Sequence, residues 1–433
     1  MKISVVGCGY LGAVHAAAMA KLGHDVVGVD IDAAKIATLT AGHAPFFEPG
    51  LDELLREGVG TGRLRFTTDL GQASDAEVHF VAVGTPQLPN ADGADLRHVD
   101  AAFDALAPVA APGSLIVGKS TVPVGTAADL VRRLRRAGSE ALVAWNPEFL
   151  REGFAVADTL TPDRLVYGVD DERATELLDR VYADILERGT PRIVTDFATA
   201  ELVKTAANAF LATKISFINA MAEIAEATGA DVTTLADAIG HDARIGRRFL
   251  NAGIGFGGGC LPKDIRAFAA RAEELGRAES VAFLRQVDAI NLRRRERAVD
   301  LAVEMLGGSV YERRIAVLGL TFKPDSDDTR DSPALDVAAR LHGLGARVRA
   351  TDPHGIGNAR LRHPQLDYVA SADEALDGAD LALLVTEWRE YRDLDPAAVA
   401  ARMAAPRIID ARNVLDPVAW RAAGFAYRGL GRS

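Results

Sequence analysis

The residues best suited to chemistry lie in one glycine-rich stretch, GFGGGCLPKD, at positions 255–264. Pro262 is favoured at the start of a helix, so we expect Cys260 to lie just before a helix N-terminus. The helix dipole and the neighbouring Lys263 would both favour the thiolate. The three glycines before Cys260 leave room for another molecule to approach the sulfur, and Asp264 could act on a nearby water or alcohol. These features predict a catalytic nucleophile rather than a small core cysteine.

A second pair of polar residues, Lys204 and Asn208, interrupts an apolar stretch. Their spacing of four places them on one face of a helix. If that face meets Cys260, both could donate hydrogen bonds to an oxyanion. Taken alone, Lys204 is better interpreted as a lysine whose stem lies on apolar surface while its ammonium reaches solvent.

A nucleotide-binding fingerprint opens the chain. GCGYLG at 7–12 follows the apolar run KISVV and precedes a helical pattern, as in dinucleotide-binding folds. Its glycines would let the backbone approach a pyrophosphate at the helix N-terminus. Asp30 ends the next predicted strand, where a carboxylate accepts ribose hydroxyls and favours NAD over NADP. Lys35 could reach the adenosine or be a surface lysine, and Cys8 is interpreted as a small buried residue.

The order of apolar runs predicts an α/β protein with two Rossmann-like, doubly wound domains. Predicted strands alternate with helical patterns in both halves, at 2–6, 26–29, 78–83, 114–117 and 142–145, and at 314–318, 347–350, 381–385 and 407–409. Between them, 198–228 holds neither Gly nor Pro and predicts one helix about 45 Å long. Further helices are predicted at 262–275 and 280–306.

These elements predict three domains. Residues 1–196 would bind NAD, 197–308 would form a central helical linker and dimerisation region, and 309–433 would form a second Rossmann-like domain. The long apolar helix predicts a homodimer, since a monomer would have to bury its apolar positions within one chain.

Composition excludes several classes. The 433 residues are 48% hydrophobic and 25% charged, as in ordinary globular proteins. A net charge of −11 argues against a general nucleic-acid binder. No apolar run reaches the roughly 18 residues of a membrane helix, and glycines interrupt the N-terminal one, so neither an anchor nor a signal peptide is predicted. Two cysteines fit a reducing compartment, and we expect a cytoplasmic protein.

The remaining charge clusters receive structural interpretations. Arg132, Arg133, Arg135 and Arg136, and the run 293–297, are predicted to be solvated faces of helices. The nine histidines follow no metal-binding spacing, so no metal is proposed.

Seven further motifs accompany the fingerprint and the cysteine loop: FEPGLDELL (47–55), VGTP (83–86), STVPVGT (120–126), NPEFLREG (146–153), ELVKTAANAFLATKISFIN (201–219), FKPDSDDTRDSP (322–333) and DARNVLD (410–416). On these motifs the chain resembles the UDP-glucose/GDP-mannose dehydrogenase family from end to end. The resemblance implies a four-electron oxidation at C6 of a nucleotide-activated hexose by two NAD, through a thiohemiacetal and a thioester on Cys260. By this resemblance, residues 309–433 would bind the nucleotide sugar, and UDP-glucose is the first expectation for the substrate. GDP-mannose, dTDP-glucose or an N-acetylated UDP-hexose is the alternative.

The resemblance also implies roles for individual residues. Lys204 and Asn208 would hold an oxyanion, Asp264 would orient or deprotonate water, and Thr121 and Glu148 would position that water or act as general base. The NAD-binding positions would be Gly7, Gly9, Tyr10, Leu11, Gly12, Asp30, Lys35, Gly84, Thr85, Pro86, Thr121, Glu152, Lys263 and Arg330. The substrate-binding positions would be Glu148, Phe149, Leu150, Glu152, Lys204, Asn208, Arg244, Asn251, Phe256, Gly257, Phe322, Lys323 and Arg412, with Arg244 reaching the neighbouring subunit's site.

Three alternatives stay open at this point. Glu148 and Glu152 could form plain ion pairs instead of transferring protons. A two-electron hydroxyacid dehydrogenase shares the Rossmann domain and long helices but needs no cysteine in a glycine loop. A nucleotide-sugar sensor could have kept the fold without activity.

Overall fold

The computed structural model describes residues 1–432. Its internal contacts divide the chain into two units, Met1–Ala207 with Ala270–Gly276, and Asn208–Ala269 with Arg277 onward. Two helices contribute residues to both units. The three-domain division predicted from the sequence, with boundaries at 197 and 309, stays a prediction.

Unit 1 is built on an eight-stranded sheet of order β3-β2-β1-β4-β5-β6-β7-β8, in which β6 and β7 pair antiparallel and all other neighbours pair parallel. The strands are β1 Lys2–Val6, β2 Asp25–Val29, β3 Leu64–Thr67, β4 Val78–Val81, β5 Leu115–Gly118, β6 Leu142–Trp145, β7 Leu165–Val169 and β8 Arg192–Thr195. Its central strands are apolar on both faces because helices cover both sides. The five predicted strands are confirmed to within two residues at each end.

Nine helical segments surround this sheet. They are α1 Tyr10–Lys21, α2 Ala33–Thr40, α3 Leu51–Gly60, a 3₁₀ turn Leu70–Ala73, α4 Arg97–Leu106, α5 Thr126–Arg136, α6 Ala155–Leu160, α7 Glu172–Val181 and α8 Ala183–Glu187. Helix α1 is the most enclosed, since every residue from Gly12 to Ala20 is buried. Its alanines let it lie close against the strands.

The long predicted helix is confirmed as α9 Phe197–Thr228, which starts in unit 1 and continues into unit 2. It is followed by α10 Val232–Gly240, α11 Leu261–Glu274, a 3₁₀ turn Ala278–Val281 and α12 Phe283–Met305. The helix predicted at 280–306 therefore begins with a separate turn. Among residues 1–432, no helix has both the length and the apolar character to cross a bilayer.

Unit 2 contains a fully parallel six-stranded sheet of order β11-β10-β9-β12-β13-β14. The strands are β9 Arg314–Leu318, β10 Arg347–Thr351, β11 Asp367–Tyr368, β12 Leu381–Leu384, β13 Arg407–Asp410 and β14 Ala426–Gly429. The helices between them are α13 Pro333–Gly343, α14 Ile356–Arg362, α15 Ala372–Leu376, α16 Arg389–Arg392, α17 Pro396–Arg402 and α18 Pro417–Ala422. Two doubly wound sheets were predicted, and both are present.

One structural interpretation of a charge cluster is wrong in part. In the run 293–297 on α12, the side chains of Arg294 and Arg295 are buried. Arg294 pairs with Glu226 at 2.9 Å, and Arg295 pairs with Asp331 at 3.0 Å. Acidic partners far away in sequence make this burial possible, and the local charge pattern could not show them. The four arginines of α5 are exposed as predicted.

Candidate active site

The fingerprint glycines are required by the geometry of the turn between β1 and α1. Gly7 has a φ of +90°, and a Cβ at Gly12 would lie 1.8 Å from the Gly7 carbonyl oxygen. A Cβ at Gly9 would meet nothing within 4 Å, so this backbone faces open space. Helix α1 starts directly afterwards, at Tyr10. The turn therefore fits a dinucleotide pyrophosphate at a helix N-terminus.

Asp30 follows β2 directly and is held rigidly. Its carboxylate accepts hydrogen bonds from the backbone N–H groups of Cys8 at 2.8 Å and Asp32 at 3.0 Å, and pairs with the Lys35 ammonium at 2.8 Å. Burial raises the pKa of Asp30, but these donors more than offset it and the pKa is lowered overall. An ionised carboxylate here suits the ribose hydroxyls of NAD. Lys35 pairs with this acid rather than pointing away into solvent.

Glu48 connects the fingerprint helix to the loop that carries Glu152. It accepts a short hydrogen bond from the Tyr10 hydroxyl, and hydrogen bonds from the N–H groups of Gly153 at 2.6 Å and Ala155 at 2.8 Å. The Glu48 side chain is buried, so it fixes this loop at the start of α6. Sequence reasoning missed Glu48, although it lies within the FEPGLDELL motif. Leu11 packs against the core of unit 1.

The loops after β4 and β5 are joined by hydroxyl groups. Thr85 donates to the Thr121 carbonyl oxygen at 2.9 Å, and Ser120 donates to the Val83 carbonyl oxygen at 2.6 Å. Gly84 and Pro86 flank Thr85 at this carboxyl edge of the sheet, where dinucleotides bind in such folds.

The Glu148 carboxylate is engaged on both oxygens. One accepts from the N–H groups of Phe149 at 2.7 Å and Leu150 at 3.1 Å, and the other lies 3.3 Å from the ammonium of Lys119. Lys119 is therefore the partner that the predicted ion-pair alternative for Glu148 requires. Sequence reasoning missed Lys119, since one lysine after an apolar strand has no motif of its own.

The Phe149 ring lies among cations. The Arg164 guanidinium is 3.9 Å and the Lys204 ammonium is 5.4 Å from the ring centroid. Lys204 is half-buried on α9, one turn before Asn208 on the same helix. The contact with Phe149 favours a held lysine over one that only snorkels to solvent.

In unit 2, Cys260 is exposed and immediately precedes α11. Its carbonyl oxygen accepts the N–H of Asp264 at 2.9 Å, which makes it the N-cap residue of this helix. The predicted position at a helix N-terminus is confirmed, with Pro262 as the second helical residue. Cys260 thus lies at the N-terminus of α11, where the helix dipole favours a thiolate.

The glycines before Cys260 admit this chain's own residues. A Cβ at Gly257 would lie 2.2 Å from the Asp331 carbonyl oxygen, and one at Gly259 would lie 2.4 Å from the Arg330 guanidinium. Gly258 has a φ of +83° and faces the Phe322 ring. On this side, the room predicted for another molecule is therefore filled by the segment 322–333.

Asp264 is buried and accepts two hydrogen bonds, from the Asn208 amide at 2.7 Å and from the Lys263 ammonium at 2.5 Å. The structure thus brings together Asn208, Asp264 and the cysteine loop within unit 2. Because Lys263 pairs with Asp264, the positive charge of Lys263 acts on this carboxylate as well as on the start of α11.

The predicted substrate-binding residues of unit 2 fall into two groups. Phe256 and Gly257 form the cysteine loop, and the Asn291 side chain holds Phe256 through its N–H at 2.7 Å and its carbonyl oxygen at 3.0 Å. Arg412 donates to the carbonyl oxygens of Gly255 at 3.0 Å and Phe322 at 3.1 Å. Arg412 therefore braces two loops, and a direct contact with substrate stays a prediction.

The other predicted positions are more open. Arg244 is 89% exposed and pairs with Asp242 at 2.6 Å. Asn251 accepts a hydrogen bond from Arg247 at 2.7 Å, and the Lys323 ammonium lies 5.6 Å from the Phe322 ring centroid. No three metal-ligating side chains converge anywhere in residues 1–432.

A glycine fingerprint with a fixed ribose acid, together with an exposed cysteine at a helix N-terminus, defines an NAD-dependent dehydrogenase. Three family models match the chain in order: the NAD binding domain of the UDP-glucose/GDP-mannose dehydrogenase family at 1–186, its central domain at 198–293 and its UDP binding domain at 316–417. The chain belongs to the UDP-glucose/GDP-mannose dehydrogenase family, and its cofactor is NAD.

Individual relatives are similar over the whole chain. A UDP-glucose 6-dehydrogenase of Rhizobium meliloti (strain 1021) is 43% identical over 437 residues, covering 100% of both chains. The structure of a UDP-glucose dehydrogenase from Pyrobaculum islandicum is 39% identical with a TM-score of 0.92, covering 100% of this chain and 98% of that one. A UDP-D-ManNAc dehydrogenase from Pyrococcus horikoshii is 30% identical with a TM-score of 0.87, covering 100% and 99%.

Proposed function

We propose that this enzyme oxidises the C6 hydroxyl of UDP-glucose to the carboxylate of UDP-glucuronate, and that Cys260 carries the intermediate. The observation that carries this proposal is the exposed Cys260 at the N-terminus of α11, four residues before the buried Asp264. A simple alcohol dehydrogenase has no use for such a nucleophile. The relatives named UDP-glucose 6-dehydrogenase support UDP-glucose as the substrate.

Held by the turn at 7–12 and by Asp30, NAD would supply the hydride acceptor for each of two oxidation steps at C6. In the first step the hydroxyl loses its proton to a water or to a carboxylate held by this chain, and an aldehyde results. Glu148 is the candidate in unit 1, with Thr121 after the neighbouring strand. The Glu148 carboxylate is fixed by two N–H groups and an ammonium, so it could position the water as well as accept the proton.

The Cys260 thiolate then adds to the aldehyde carbon, and the carbonyl oxygen becomes an oxyanion that takes a proton to give a thiohemiacetal. Lys204 and Asn208 are proposed to donate hydrogen bonds to this oxyanion. Loss of the second hydride and of the hydroxyl proton leaves a thioester. The covalent bond keeps the aldehyde from escaping.

Water finally attacks the thioester carbon, the C–S bond breaks, and the sulfur leaves as the thiolate. Asp264 is proposed to orient this water, because Asn208 and Lys263 hold its two carboxylate oxygens. One sugar thereby gives one carboxylate and two reduced cofactors.

A panel of nucleotide sugars tests the substrate and the electron count together. We expect the highest kcat/KM with UDP-glucose and two NADH per sugar oxidised. A preference for GDP-mannose, dTDP-glucose or an N-acetylated UDP-hexose would overturn the substrate, and the similarity to a UDP-D-ManNAc dehydrogenase makes the N-acetylated sugars the first rivals to include. One NADH per sugar would overturn the thioester route, and no NADH with any sugar would favour a sensor.

We further propose that two copies associate through α9, in the cytoplasm. Phe210, Phe217 and Ile224 recur at intervals of seven on this helix and are 66%, 49% and 55% exposed. Such a stripe is typical of a helix that packs against another helix. Light scattering should give the mass of a dimer, and Phe217→Glu should shift it toward the monomer, whereas a monomeric wild-type enzyme would contradict this proposal.

A further inference from the structure

Lys119 is a charged residue in the interior of unit 1 that the proposed reaction does not use. It follows the apolar strand β5 directly, and its side chain is only 3% exposed. Burying an ammonium is costly unless it is paired and hydrogen-bonded. A leucine or methionine would fill this site without burying a charge, so the presence of an ammonium needs an explanation.

The ammonium of Lys119 is held by groups from separate parts of the unit. It donates to the Asn146 side-chain oxygen at 3.0 Å, and the Tyr182 hydroxyl lies 3.5 Å away. Tyr182 also donates to Asn146 at 2.7 Å, and the Asn146 amide donates to the Val166 carbonyl oxygen at 2.9 Å. The position of the ammonium is therefore set by the end of β6, by β7 and by the junction of α7 and α8.

The carboxylate opposite this ammonium belongs to Glu148. One oxygen of Glu148 is fixed by the N–H groups of its own loop, and the other lies 3.3 Å from the Lys119 nitrogen. The Glu148 side chain is 17% exposed, so it keeps an open side while Lys119 is enclosed. The ammonium therefore helps to fix where this oxygen lies.

The other titratable groups around Lys119 stay neutral at ordinary pH. Burial and the Lys119 charge keep the pKa of His15, from α1, well below its usual value. Burial raises the pKa of the Tyr182 hydroxyl, and it raises the pKa of Tyr167, whose ring stacks on Tyr182. The remaining neighbour, from β4, is the Phe80 ring at 5.7 Å. Glu148 is therefore the acidic side chain that pairs with the Lys119 ammonium.

We propose that Lys119 is a positioning residue for this enzyme, which holds the Glu148 carboxylate correctly oriented through the buried Lys119–Asn146–Tyr182 network. The inference rests on the proposed function only in the role given to Glu148. It makes the charge of Lys119, rather than its packing, the property that matters.

Lys119→Met tests this role, because methionine keeps the length and removes the charge. Without the ammonium, the Glu148 oxygen that lies 3.3 Å from it loses its charged partner, and only the N–H groups of its own loop hold the carboxylate. The maximal kcat should fall about tenfold or more, while KM for UDP-glucose stays near the wild-type value. Tyr182→Phe keeps the ring, removes one hydrogen-bond partner of the network and should give a smaller loss of kcat.

Lys21→Met is the matched control, since Lys21 is an exposed lysine of unit 1 paired with Glu57 at 2.7 Å. Its kcat and KM should match those of the wild type. A Lys119→Met enzyme that keeps the wild-type kcat, or whose kcat falls while KM rises, would overturn the proposal. Should that variant fail to fold, a wild-type kcat in Tyr182→Phe would do the same.

Two results separate this inference from the proposed function. A wild type that oxidises no nucleotide sugar would count against the proposed function. A wild type that oxidises UDP-glucose beside a Lys119→Met enzyme with an unchanged kcat would count against the role of Lys119 alone.

Discussion

Cys260 and Cys8 occupy opposite environments. Cys8 is fully buried beside Asp30, and burial raises the pKa of its thiol to about 12. Cys260 is exposed and caps the N-terminus of α11. Since the thiolate is the species that reacts, only one of the two sulfurs is expected to be a nucleophile near neutral pH.

Limited alkylation with iodoacetamide should therefore modify Cys260 and leave Cys8 unmodified. Mass spectrometry of peptides gives the site, and activity should fall in step with labelling at Cys260. Cys260→Ser should still bind NAD and UDP-glucose but stall, because serine is a weaker nucleophile and its ester hydrolyses slowly. Labelling of Cys8 in the folded enzyme, or full turnover by Cys260→Ser, would contradict this assignment.

Residue types and spacing identified some of the candidate site from the sequence but not all of it. The position of Cys260 follows from glycines and a proline within a few residues, and that of Asp30 from a strand end. Lys119 and Glu48 could not be found this way, because what marks them is burial against partners distant in sequence. The same cause explains why the interpretation of Arg294 and Arg295 as surface residues was wrong.

At the scale of elements, the start of α9 is attached to the start of α5 by one carboxylate. Glu201 is 1% exposed and accepts the backbone N–H groups of Gly125 at 2.7 Å and Ala127 at 2.6 Å. Arg271 of α11 donates to the Val124 carbonyl oxygen beside them at 2.9 Å. Within unit 1, α5 and the segments of α9 and α11 that belong to this unit therefore meet at this one turn.

Glu201→Ala should lower the stability of the protein by about 2–3 kcal/mol, because two buried N–H groups lose their acceptor. Burial raises the pKa of Glu201, with the two N–H groups opposing it in part. A raised pKa means that the fold favours the protonated acid, so the stability contributed by Glu201 is largest below its ordinary pKa and declines as pH rises through the raised value. Glu201→Gln cannot titrate and should lack this decline.

Thermal unfolding measured between pH 4 and pH 8 checks both expectations. The exposed Glu53, which pairs with Arg56 at 3.4 Å on α3, supplies the control variant Glu53→Ala, and its melting temperature should stay close to that of the wild type. Equal melting temperatures for Glu201→Ala and Glu53→Ala would contradict the role given to Glu201.

Two of the strands of unit 1 that the sequence did not predict, β8 and β3, share a physical cause. β8 is exposed along most of its length, with Ile193 46% exposed, so no buried apolar run marks it. β3 alternates buried and exposed residues at the other edge of the same sheet. β7 is buried like the central strands, so exposure does not explain why it was missed. Its antiparallel pairing with β6 is likewise not encoded by nearby residues. Central strands were predictable because both of their faces are buried.

At the scale of the whole molecule, the two sheets repeat one plan. The strand order β3-β2-β1-β4-β5-β6 of unit 1 matches β11-β10-β9-β12-β13-β14 of unit 2. Asp352 follows β10 as Asp30 follows β2. Asp30 accepts the N–H of Cys8, two positions after β1, at 2.8 Å, and Asp352 accepts the N–H of Leu320, two positions after β9, at 2.7 Å. Unit 2 is thus built like a dinucleotide-binding fold.

The acid of unit 2 is nevertheless fully used by the protein itself. Besides Leu320, one Asp352 oxygen accepts from the Thr321 backbone and hydroxyl and from the Trp388 indole, each at 3.1 Å. Its other oxygen accepts the N–H groups of His354 and Gly355. Asp352 is 3% exposed, so a ribose finds no acceptor there. Helix α13 also begins 14 residues after Gly319, whereas α1 begins three residues after Gly7.

From residues 1–432 we therefore predict one NAD site per chain, so the two proposed oxidation steps would use the same site in succession. Calorimetric titration should give one NAD per chain. Asp30→Ala should weaken this binding about 10- to 100-fold, because a charge-assisted hydrogen bond of about 1.5–3 kcal/mol is lost. Asp352→Asn should keep NAD affinity and lower the melting temperature instead, since its partners are groups of the protein. Two NAD per chain, or loss of NAD binding in Asp352→Asn, would mean that the second sheet has kept the function its strand order suggests.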